Sequence, residues 1–369
     1  MNKNDDISKA VIGVAGDIIP HVSLLNRHRD GDSFDFSYVF SSISEYYKQA
    51  DLMFVNLEFA LGGPESGAYR GYPLFNGPDE IVLAMKDAGV NGCLMANNHT
   101  NDMGYYGMMR TMDVLDKCGM VQLGTRRDEN ESFVFIREIN GIRFGMVCYT
   151  YDTREYNDGK ISLNCVELSD EAKNKVAVYN YDLLDEFYEK LEADLEYMNS
   201  ESVDVKIIFI HWGNEYEDYP CEIQKKIACQ LSEMGFDAIL GGHPHVVQKL
   251  DILTNSKGHK TICLYSSGNH LSNQRARLLS SDKHRGYTED GVLLLLTFTR
   301  SADGKVEAGD IHPIPTWVEL DDDGYCIIPL PKEVPPSSWK ANDKDAAMAS
   351  FNRTMGRLYG TIINNCHSE

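Results

Sequence analysis

Seven short apolar runs lie along the chain, and each ends in small or polar residues. Their length and the turn residues that bound them are typical of buried β-strands. The runs are AVIGVAGD (10–17), DLMFVNLE (51–58), GCLMANNH (92–99), IRFGMVCYTYD (142–152), VKIIFIHWG (205–213), DAILGGHPH (237–245) and TICLYSSGNH (261–270). We therefore predict strands in these segments, each followed by a polar turn.

Helical patterns lie between several of these runs. Residues 78–89 open with Pro-Asp-Glu and close at Gly89, and residues 220–235 again run from Pro to Gly. Such start and stop residues mark helices. Residues 181–198 place apolar side chains at helical spacing with charges between them. This alternation predicts an α/β fold in which a buried sheet is flanked by helices.

The pattern changes after residue 290. Residues 291–330 are typical of strands and turns, which indicates the far side of a mixed sheet or a second packed sheet. After Pro331, a polar stretch with further prolines precedes a short helix-like end. We predict one domain over residues 1–330 and a tail over residues 331–369 that packs on it and is dispensable for the functional site.

The amino-acid composition indicates which kinds of partner and which cellular compartment to expect. The 369 residues include 35 Lys and Arg against 56 Asp and Glu, and the net charge of −21 argues against nucleic acid or an anionic membrane as main partner. No apolar run reaches the ~18 residues of a membrane span, and the start lacks a signal-peptide pattern. Nine cysteines without a CxxC pair favour a reducing compartment. We expect a cytoplasmic protein, or one attached at the cell surface if an anchor lies outside this chain.

Side chains that bind metals gather at the ends of the apolar runs. Strand ends in an α/β sheet line one edge, so residues far apart in sequence can converge there. The residues concerned are Asp17, Glu58, Asn97, Asn98, His99, His211, His243 and His245. Carboxylates, amides and imidazoles without a thiolate suit Zn, Mn or Fe rather than Ca²⁺ or an iron–sulfur cluster.

This combination fits a hydrolase that uses two cations. A bridging carboxylate can hold both ions, imidazoles fill the remaining positions, and the pair can acidify a water molecule. A histidine that is not a ligand can then protonate the leaving group. Each residue alone has a plainer explanation: Asp17 as a turn residue, Glu58 as a carboxylate at a helix start, and His211 as a core histidine. The joint pattern, with His-Pro-His at 243–245, is harder to explain by structure alone.

Six segments in a fixed order carry a family resemblance. They are VAGDIIP, FVNLEFAL, LMANNHTNDMG, IIFIHWGNEY, ILGGHPHVVQ and LYSSGNHLSN, and they cover about residues 10–275. This order resembles the CapA family, bacterial proteins associated with poly-γ-glutamate capsule synthesis and similar to calcineurin-like metallophosphoesterases. The resemblance implies a four-layer α/β/β/α sandwich and two divalent metal ions as cofactors.

The resemblance also implies a role for each motif residue. The implied metal ligands are Asp17, Glu58, Asn98, His211, His243 and His245. Asp17 and His245 would hold the first metal, Glu58 would bridge, and the other three would hold the second. His99 resembles a general acid or transition-state stabiliser. This chain departs from the superfamily in having Ile19 where histidine is frequent, and Glu instead of Asp as the bridging residue.

Asp102 and Glu215 are candidates to make up for the missing histidine. Either could be a substitute ligand or a partner that orients the imidazoles. Asp102 also has a plainer explanation as a helix N-cap, and we group it with His99 as a catalytic candidate. Asn97 is expected beside the site without binding metal.

Four further residues are candidates for the border of the cleft. His270 stands where the family has an aromatic residue, so we expect it at the rim or behind a ligand rather than on a metal. Arg70, Tyr216 and Trp212 could line the cleft, although a solvated cation and packed aromatic rings are the plainer explanations.

We therefore expect a metal-dependent hydrolase whose substrate is an anionic polymer such as poly-γ-glutamate, or an anionic small-molecule precursor. Phosphoester hydrolysis and cleavage or transfer at a γ-glutamyl amide both remain open. So do two other functions: a non-catalytic component of capsule assembly, and a soluble nucleotide or sugar phosphatase. The sequence leaves the oligomeric state open.

Overall fold

The computed structural model describes residues 8–275, 278 and 287–360, so the last part of the predicted tail lies outside the described residues. The described strands, in chain order, are β1 (Ser8–Ile18), β2 (Arg29–Asp30), β3 (Ser33–Phe34), β4 (Leu52–Leu57), β5 (Gly92–Leu94), β6 (Val121–Leu123), β7 (Phe135–Ile139), β8 (Ile142–Tyr151), β9 (Ser162–Leu163), β10 (Val166–Glu167), β11 (Val178–Tyr179), β12 (Val205–His211), β13 (Ala238–Gly242), β14 (Leu250–Thr254), β15 (Lys260–Leu264), β16 (Asn269–Leu271), β17 (Asp290–Arg300), β18 (Val306–Leu320) and β19 (Tyr325–Pro329). Each of the seven predicted segments contains a strand.

The described helices are α1 (Val22–Arg27), α2 (Ser37–Phe40), α3 (Ser44–Tyr47), α4 (Glu80–Ala88), α5 (Gly104–Lys117), α6 (Leu184–Ser200), α7 (Glu222–Met234) and α8 (Lys344–Tyr359). The three predicted helices are confirmed as α4, α6 and α7. Apart from the possible N-cap at Asp102, helix α5 was not predicted, because the helix starts in Gly-Tyr-Tyr-Gly and its N-cap residue, Met103, makes no side-chain cap. None of the helices in these described ranges has the length and apolar character needed to cross a bilayer.

The first sheet is mixed. Its eight strands run in the order β19-β18-β17-β1-β4-β5-β6, and β16 also pairs with β1. Strands β1, β4, β5 and β6 are parallel, whereas β17, β18 and β19 continue the sheet with antiparallel pairing. The prediction that the strands after residue 290 form the far side of a mixed sheet is therefore confirmed.

The second sheet has seven strands in the order β11-β8-β12-β13-β15-β14, with β7 also paired to β8. Its central strands β8, β12, β13 and β15 are parallel. The antiparallel strands β7 and β14 pair at its margins. Parallel central strands explain why residues 207–210 and 238–240 are consecutive apolar side chains, since both faces are covered.

The two sheets pack face to face and are covered by helices outside. The rings of Phe54 on β4 and Phe209 on β12 meet between them, with centroids 5.1 Å apart. Helices α2, α3 and α4 cover the outer face of the first sheet through buried side chains such as Met85. Helices α6 and α7 cover the second sheet through Leu191 and Ile227. The expected four-layer α/β/β/α sandwich is confirmed.

Helix α8 lies against both sheets, making contacts with β17 and β18 of the first and β14 of the second. Leu358 is wholly buried in the core between the sheets. Arg353 pairs with Asp290 at 2.9 Å, and Arg357 Nη2 lies 2.6 Å from Asp218 Oδ1. The expected helix-like end is therefore present as α8, and the boundary at residue 330 stays a prediction.

Candidate metal centre

The carboxyl ends of strands from both sheets meet along one edge of the sandwich. Strands β1, β4 and β5 are parallel to one another, as are β12 and β13, so each group ends on the same side. The predicted residues at this edge are Asp17, Glu58, Asn98, His99, His211, His243 and His245.

Short distances join five of the predicted ligands. His245 Nδ1 lies 3.1 Å from Asp17 Oδ2, and His245 Nε2 lies 3.8 Å from Glu58 Oε1. On the other side, His211 Nε2 lies 3.7 Å from Glu58 Oε1 and 2.8 Å from Asn98 Oδ1. All five residues are at most 5% exposed. The fold thus brings together residues as much as 228 positions apart.

His243 completes the group. Its ring centroid lies 4.8 Å from that of His211 and 5.9 Å from that of His245. Its Nε2 lies 3.1 Å from the Tyr151 hydroxyl, at the end of β8. Sequence reasoning missed Tyr151, because a tyrosine at the end of an apolar run is normally a packed side chain. All six predicted ligands therefore lie in one cluster.

Two overlapping sets of ligand atoms, each within 4.8 Å of one another, occur among the described residues. They are Glu58, His243 and His245, and Asp17, Glu58 and His211. Glu58 belongs to both, as a bridging carboxylate would. Its Oε1 is buried without a hydrogen-bond partner, and so is His243 Nδ1. Since buried polar atoms are nearly always partnered, these atoms and this donor set fit divalent cations.

Burial dominates the charge states in the cluster. Burial, followed by the charge of Asp17, raises the pKa of Glu58 well above its usual value. Burial and the neighbouring imidazoles lower the pKa of His211 and of His243. For His245, burial acts to lower the pKa, but the hydrogen bond and the charge of Asp17 raise it overall. Neutral imidazoles are the form that binds metal, and a cation would favour the ionised carboxylate of Glu58.

Strand register places two amides beside Asp17. Asp17 on β1 is paired with Asn56 on β4 and with Asn269 on β16. Asn56 Nδ2 donates to Asp17 Oδ1 at 2.8 Å and to Glu58 Oε2 at 3.1 Å. His245 Nδ1 lies 3.1 Å from both Asn269 Oδ1 and Asp17 Oδ2. Both oxygens accept, so we assign the proton to Nδ1, which leaves Nε2 as the atom that can bind metal.

Asn97, expected beside the site, supports this arrangement from the loop after β5. Its Nδ2 donates to Asn56 Oδ1 at 3.0 Å and to the Leu57 carbonyl at 2.9 Å. Asn56 and Asn269 were not predicted. The two-residue alternation of side chains along a strand could have predicted Asn56. It lies two residues before Glu58, and alternate residues of a strand share a face.

The turn that carries His243 and His245 is conformationally unusual. Both residues have positive φ, at 97° and 58°, a region that side chains other than glycine rarely occupy. Gly242 before them faces the cluster, since a Cβ there would lie 3.0 Å from Asp17 Oδ1. Non-glycine residues held in this way are typical of functional sites.

His99 is paired with Asp102 instead of joining the cluster. Its Nδ1 lies 2.7 Å from Asp102 Oδ2, which also accepts from the Phe75 backbone N–H at 2.6 Å. Asn164 Nδ2 lies 3.4 Å from Asp102 Oδ1. The N-cap of α5 is Met103, so the explanation of Asp102 as an N-cap is wrong. Its contacts are those of a residue that orients His99 rather than of a substitute ligand.

Glu215 and Arg70 lie outside the cluster. Glu215 is exposed in the loop after β12, close enough for its charge to contribute to the raised pKa of Glu58. Arg70 is exposed, and its Nε donates to a backbone carbonyl four residues further on. Tyr216, in the same loop as Glu215, packs its ring 5.8 Å from that of His245.

His270 lies neither at the rim nor behind a proposed ligand, so the expectation for it is wrong. It is wholly buried and hydrogen-bonded to the Tyr47 hydroxyl on α3. Because Asn269 faces His245, strand alternation turns His270 toward the outer helices. The plainer explanation of Trp212 is confirmed: it is buried, and its Nε1 donates to the Tyr265 carbonyl at 2.8 Å.

Comparison with known proteins assigns the chain to a family. The model of the family described as "Bacterial capsule synthesis protein PGA_cap" matches residues 11–274. The chain belongs to this family. Among curated relatives of this PGA_cap chain, "Capsule biosynthesis protein CapA" of Bacillus anthracis is 26% identical over 287 residues, 74% of this chain and 62% of that protein. "PGA biosynthesis protein CapA" of Bacillus subtilis (strain 168) is 26% identical over 245 residues, 63% of this chain and 54% of that protein.

The PGA_cap chain thus spans 62% and 54% of the length of these two relatives. Among solved structures, NAD nucleotidase (NadN) of Haemophilus influenzae superimposes with a TM-score of 0.49 and 12% identity, covering 96% of this chain and 64% of that chain. That likeness is too remote to bear on the chemistry of the site.

Ile19, which stands where the superfamily frequently has histidine, is a packed core residue in this PGA_cap chain. Ile19 is 1% exposed and packs in the apolar layer between the first sheet and its helices. It therefore offers nothing to a cation. On this side of the cluster the predicted ligands brought together are Asp17, Glu58 and His245.

Proposed function

We propose that this chain is a metal-dependent hydrolase whose cluster binds two divalent cations, of Mn, Zn or Fe. The observation that carries the proposal is Glu58 Oε1, buried without a donor between the imidazoles of His211 and His245. A carboxylate oxygen in this position gains a partner when a cation binds. The second support is His99, an imidazole beside the cluster that is held by its own carboxylate.

Each proposed ligand has a stated place. Following the family resemblance, Asp17, Glu58 and His245 would hold one ion, and Glu58 would share the second with the three residues Asn98, His211 and His243. The two compact sets of ligand atoms described above cut across this division, and both contain Glu58. Bound divalent cations would supply Lewis acidity to the substrate and make a water molecule more acidic. His245 is fixed by Asp17 and Asn269 through Nδ1, so its Nε2 faces Glu58.

His99 would act as the general acid that donates a proton to the leaving group. Its Nδ1 is engaged by Asp102, and Asp102 is held in turn by the Phe75 backbone N–H. This fixes the ring so that Nε2 is the atom left to exchange a proton. Asp102 acts through His99 and is a positioning residue in this scheme.

The proposed substrate is an anionic capsular polymer, such as poly-γ-glutamate, or an anionic precursor. The support is family membership and the printed names of the two relatives, which concern capsule and PGA biosynthesis. The proposed reaction is hydrolysis of a phosphoester, which suits a pair of cations that brace both oxygens of a displacement. Cleavage of a γ-glutamyl amide is the second candidate, and its support is the mention of PGA in the printed name of the Bacillus subtilis relative.

The test combines metal content with turnover. The purified chain is stripped with chelator, reloaded with Mn²⁺, and assayed on bis(p-nitrophenyl) phosphate and on γ-glutamyl-p-nitroanilide. We expect about two ions per chain, turnover of the phosphodiester, and loss of both in Glu58→Gln. Glu319→Gln is the matched control, since Glu319 is also buried but binds the backbone at Asn342.

Two results would contradict the proposal. Glu58→Gln could retain as much metal as the Glu319 control, which would exclude the bridging role. The loaded wild-type chain could turn over neither substrate, which would favour a non-catalytic part in capsule assembly.

A further inference from the structure

His21 is an imidazole near the cluster that belongs neither to the proposed ligands nor to the proposed general acid. His21 follows β1 four residues after Asp17, at the start of α1, and is half-buried. Its ring packs edge-on against Phe75, with centroids 5.4 Å apart and planes at 81°. The same Phe75 ring packs edge-on against His99, at 4.7 Å and 82°. Phe75 therefore separates His21 from the proposed general acid.

The backbone fixes one side of the His21 ring. The Asn273 backbone N–H donates to His21 Nδ1 at 3.2 Å, and the Ile19 carbonyl lies 3.3 Å from the same atom. A nitrogen that accepts from an N–H carries no proton itself, so we assign the proton of the neutral ring to Nε2. Among the described residues, no hydrogen-bond partner engages Nε2, and it is not among their wholly buried unpartnered atoms.

The surroundings keep this ring neutral and close to the site. Burial lowers the pKa of His21 to about 4, with further contributions from the nearby imidazoles of His245 and His99. The Phe75 ring that His21 shares with His99, and the four-residue separation from Asp17, place His21 near both the first-ion side of the cluster and the proposed proton donor. At neutral pH it presents an uncharged N–H donor, which suits the oxygen of an anion and not a cation.

We propose that His21 is a substrate-binding residue, whose Nε2–H donates a hydrogen bond to an anionic oxygen of the substrate's phosphoryl group. This proposal rests on the proposed function for the identity of the anion. Position 19 holds a buried isoleucine where the superfamily frequently has a histidine, and His21, two residues further on, supplies an imidazole at the substrate instead of at the metal. The fixed Nδ1 contact sets the direction of the donor before substrate arrives, which lowers the entropic cost of binding.

The test measures phosphate affinity and metal content separately. Inorganic phosphate is titrated calorimetrically into the Mn²⁺-loaded full chain as wild type, His21→Ala, His21→Gln and His259→Ala. His259 is the matched control, a partly exposed histidine at the opposite end of the strands, 3.6 Å from Asp237. Bound Mn²⁺ and melting temperature are measured on every sample.

We expect His21→Ala to raise the Kd for phosphate about ten- to hundredfold, the usual effect of losing one hydrogen bond to a charged group. His21→Gln, which keeps an N–H donor near the Nε2 position, should recover part of this loss. Both variants should keep wild-type Mn²⁺, and His259→Ala should match wild type in all measurements.

Three results would overturn the proposal. His21→Ala could bind phosphate as tightly as His259→Ala, it could lose Mn²⁺, or the loaded wild type could fail to bind phosphate. Failure of the proposed function is distinguishable, because it appears as loaded wild-type chain that binds phosphate without turning over either assay substrate.

Discussion

The two sheets contribute to the site in different ways. The first sheet supplies the proposed oxygen ligands and the second supplies the proposed imidazole ligands; in that order they are Asp17, Glu58 and Asn98, then His211, His243 and His245. The carboxylate of Asp17 is set by strand register, between Asn56 and Asn269. The imidazoles of His243 and His245 are instead set by a turn with positive φ. Neither half offers a complete ligand set, so the site exists only where the sandwich is packed.

The largest expected effect comes from the imidazole half. His243→Ala should lose the second ion and with it turnover, because His243 is a proposed ligand whose Nδ1 is otherwise unpartnered. Metal content and turnover are measured together. His270→Ala is the matched control, since His270 is equally buried but faces the outer helices. Equal metal content in the two variants would exclude His243 as a ligand.

The next effect separates chemistry from metal binding. His99→Ala should keep both ions but lower turnover about 10²- to 10⁴-fold, the usual contribution of a general acid. The loss of turnover should be greatest on an ester with a poor leaving group. It should be small on a nitrophenyl ester, because the nitrophenolate leaving group needs little protonation. Loss of metal, or full activity on the poor leaving group, would show that the role is wrongly assigned.

A smaller effect should mark the oxygen half. Asn56→Ala removes the donor to Asp17 and Glu58 without touching a proposed ligand atom. We expect metal affinity to fall about 10- to 100-fold, as for other groups that orient ligands. Asn255→Ala is the control, a buried asparagine whose Nδ2 donates to the Ser232 carbonyl at 2.9 Å. If both variants bind Mn²⁺ equally, strand register alone orients the carboxylates.

The smallest effect on the site should come from the helix that contacts both sheets. Leu358→Ala should lower the free energy of unfolding by about 2–5 kcal/mol, the usual cost of truncating a buried leucine. Metal content of the folded protein should not change, because the described residues of α8 lie outside the cluster. Chemical denaturation and metal analysis check both points. Metal loss from the folded variant would contradict the proposal that the tail is dispensable for the site.

Much of this arrangement could be predicted because strand ends are easy to recognise. Apolar runs that stop at Asp17, His211 or His243 show both the strand and the edge at which it ends. Helix α5 was harder to predict, because Gly-Tyr-Tyr-Gly is a poor helix start and the possible N-cap at Asp102 could not be distinguished from a site residue. Asn56 and Asn269 were not predicted as site residues for a different reason. Their contacts with Asp17 depend on which strands are neighbours of β1, and the order of strands is a property of the assembled sheet.

The mistaken expectation for His270 teaches a related point. Adjacent residues of a strand face opposite sides, so Asn269 and His270 could not both face the metal edge. The choice between them follows from pairing Asp17 with Asn269, a contact between residues from opposite ends of the matched region. Sequence alone offers two equivalent registers here, and tertiary packing selects one.

The turn at His243 and His245 sets local stability against function. Residues with positive φ carry strain of about 1–3 kcal/mol each, and glycine would relieve it at either position. Glycine would also remove an imidazole from the cluster. The two demands on these positions are therefore opposed, because the glycine substitutions that would stabilise the fold would also remove side chains that the proposed function needs. Selection for thermostability alone should drift toward glycine here, whereas selection for activity should keep the strained histidines.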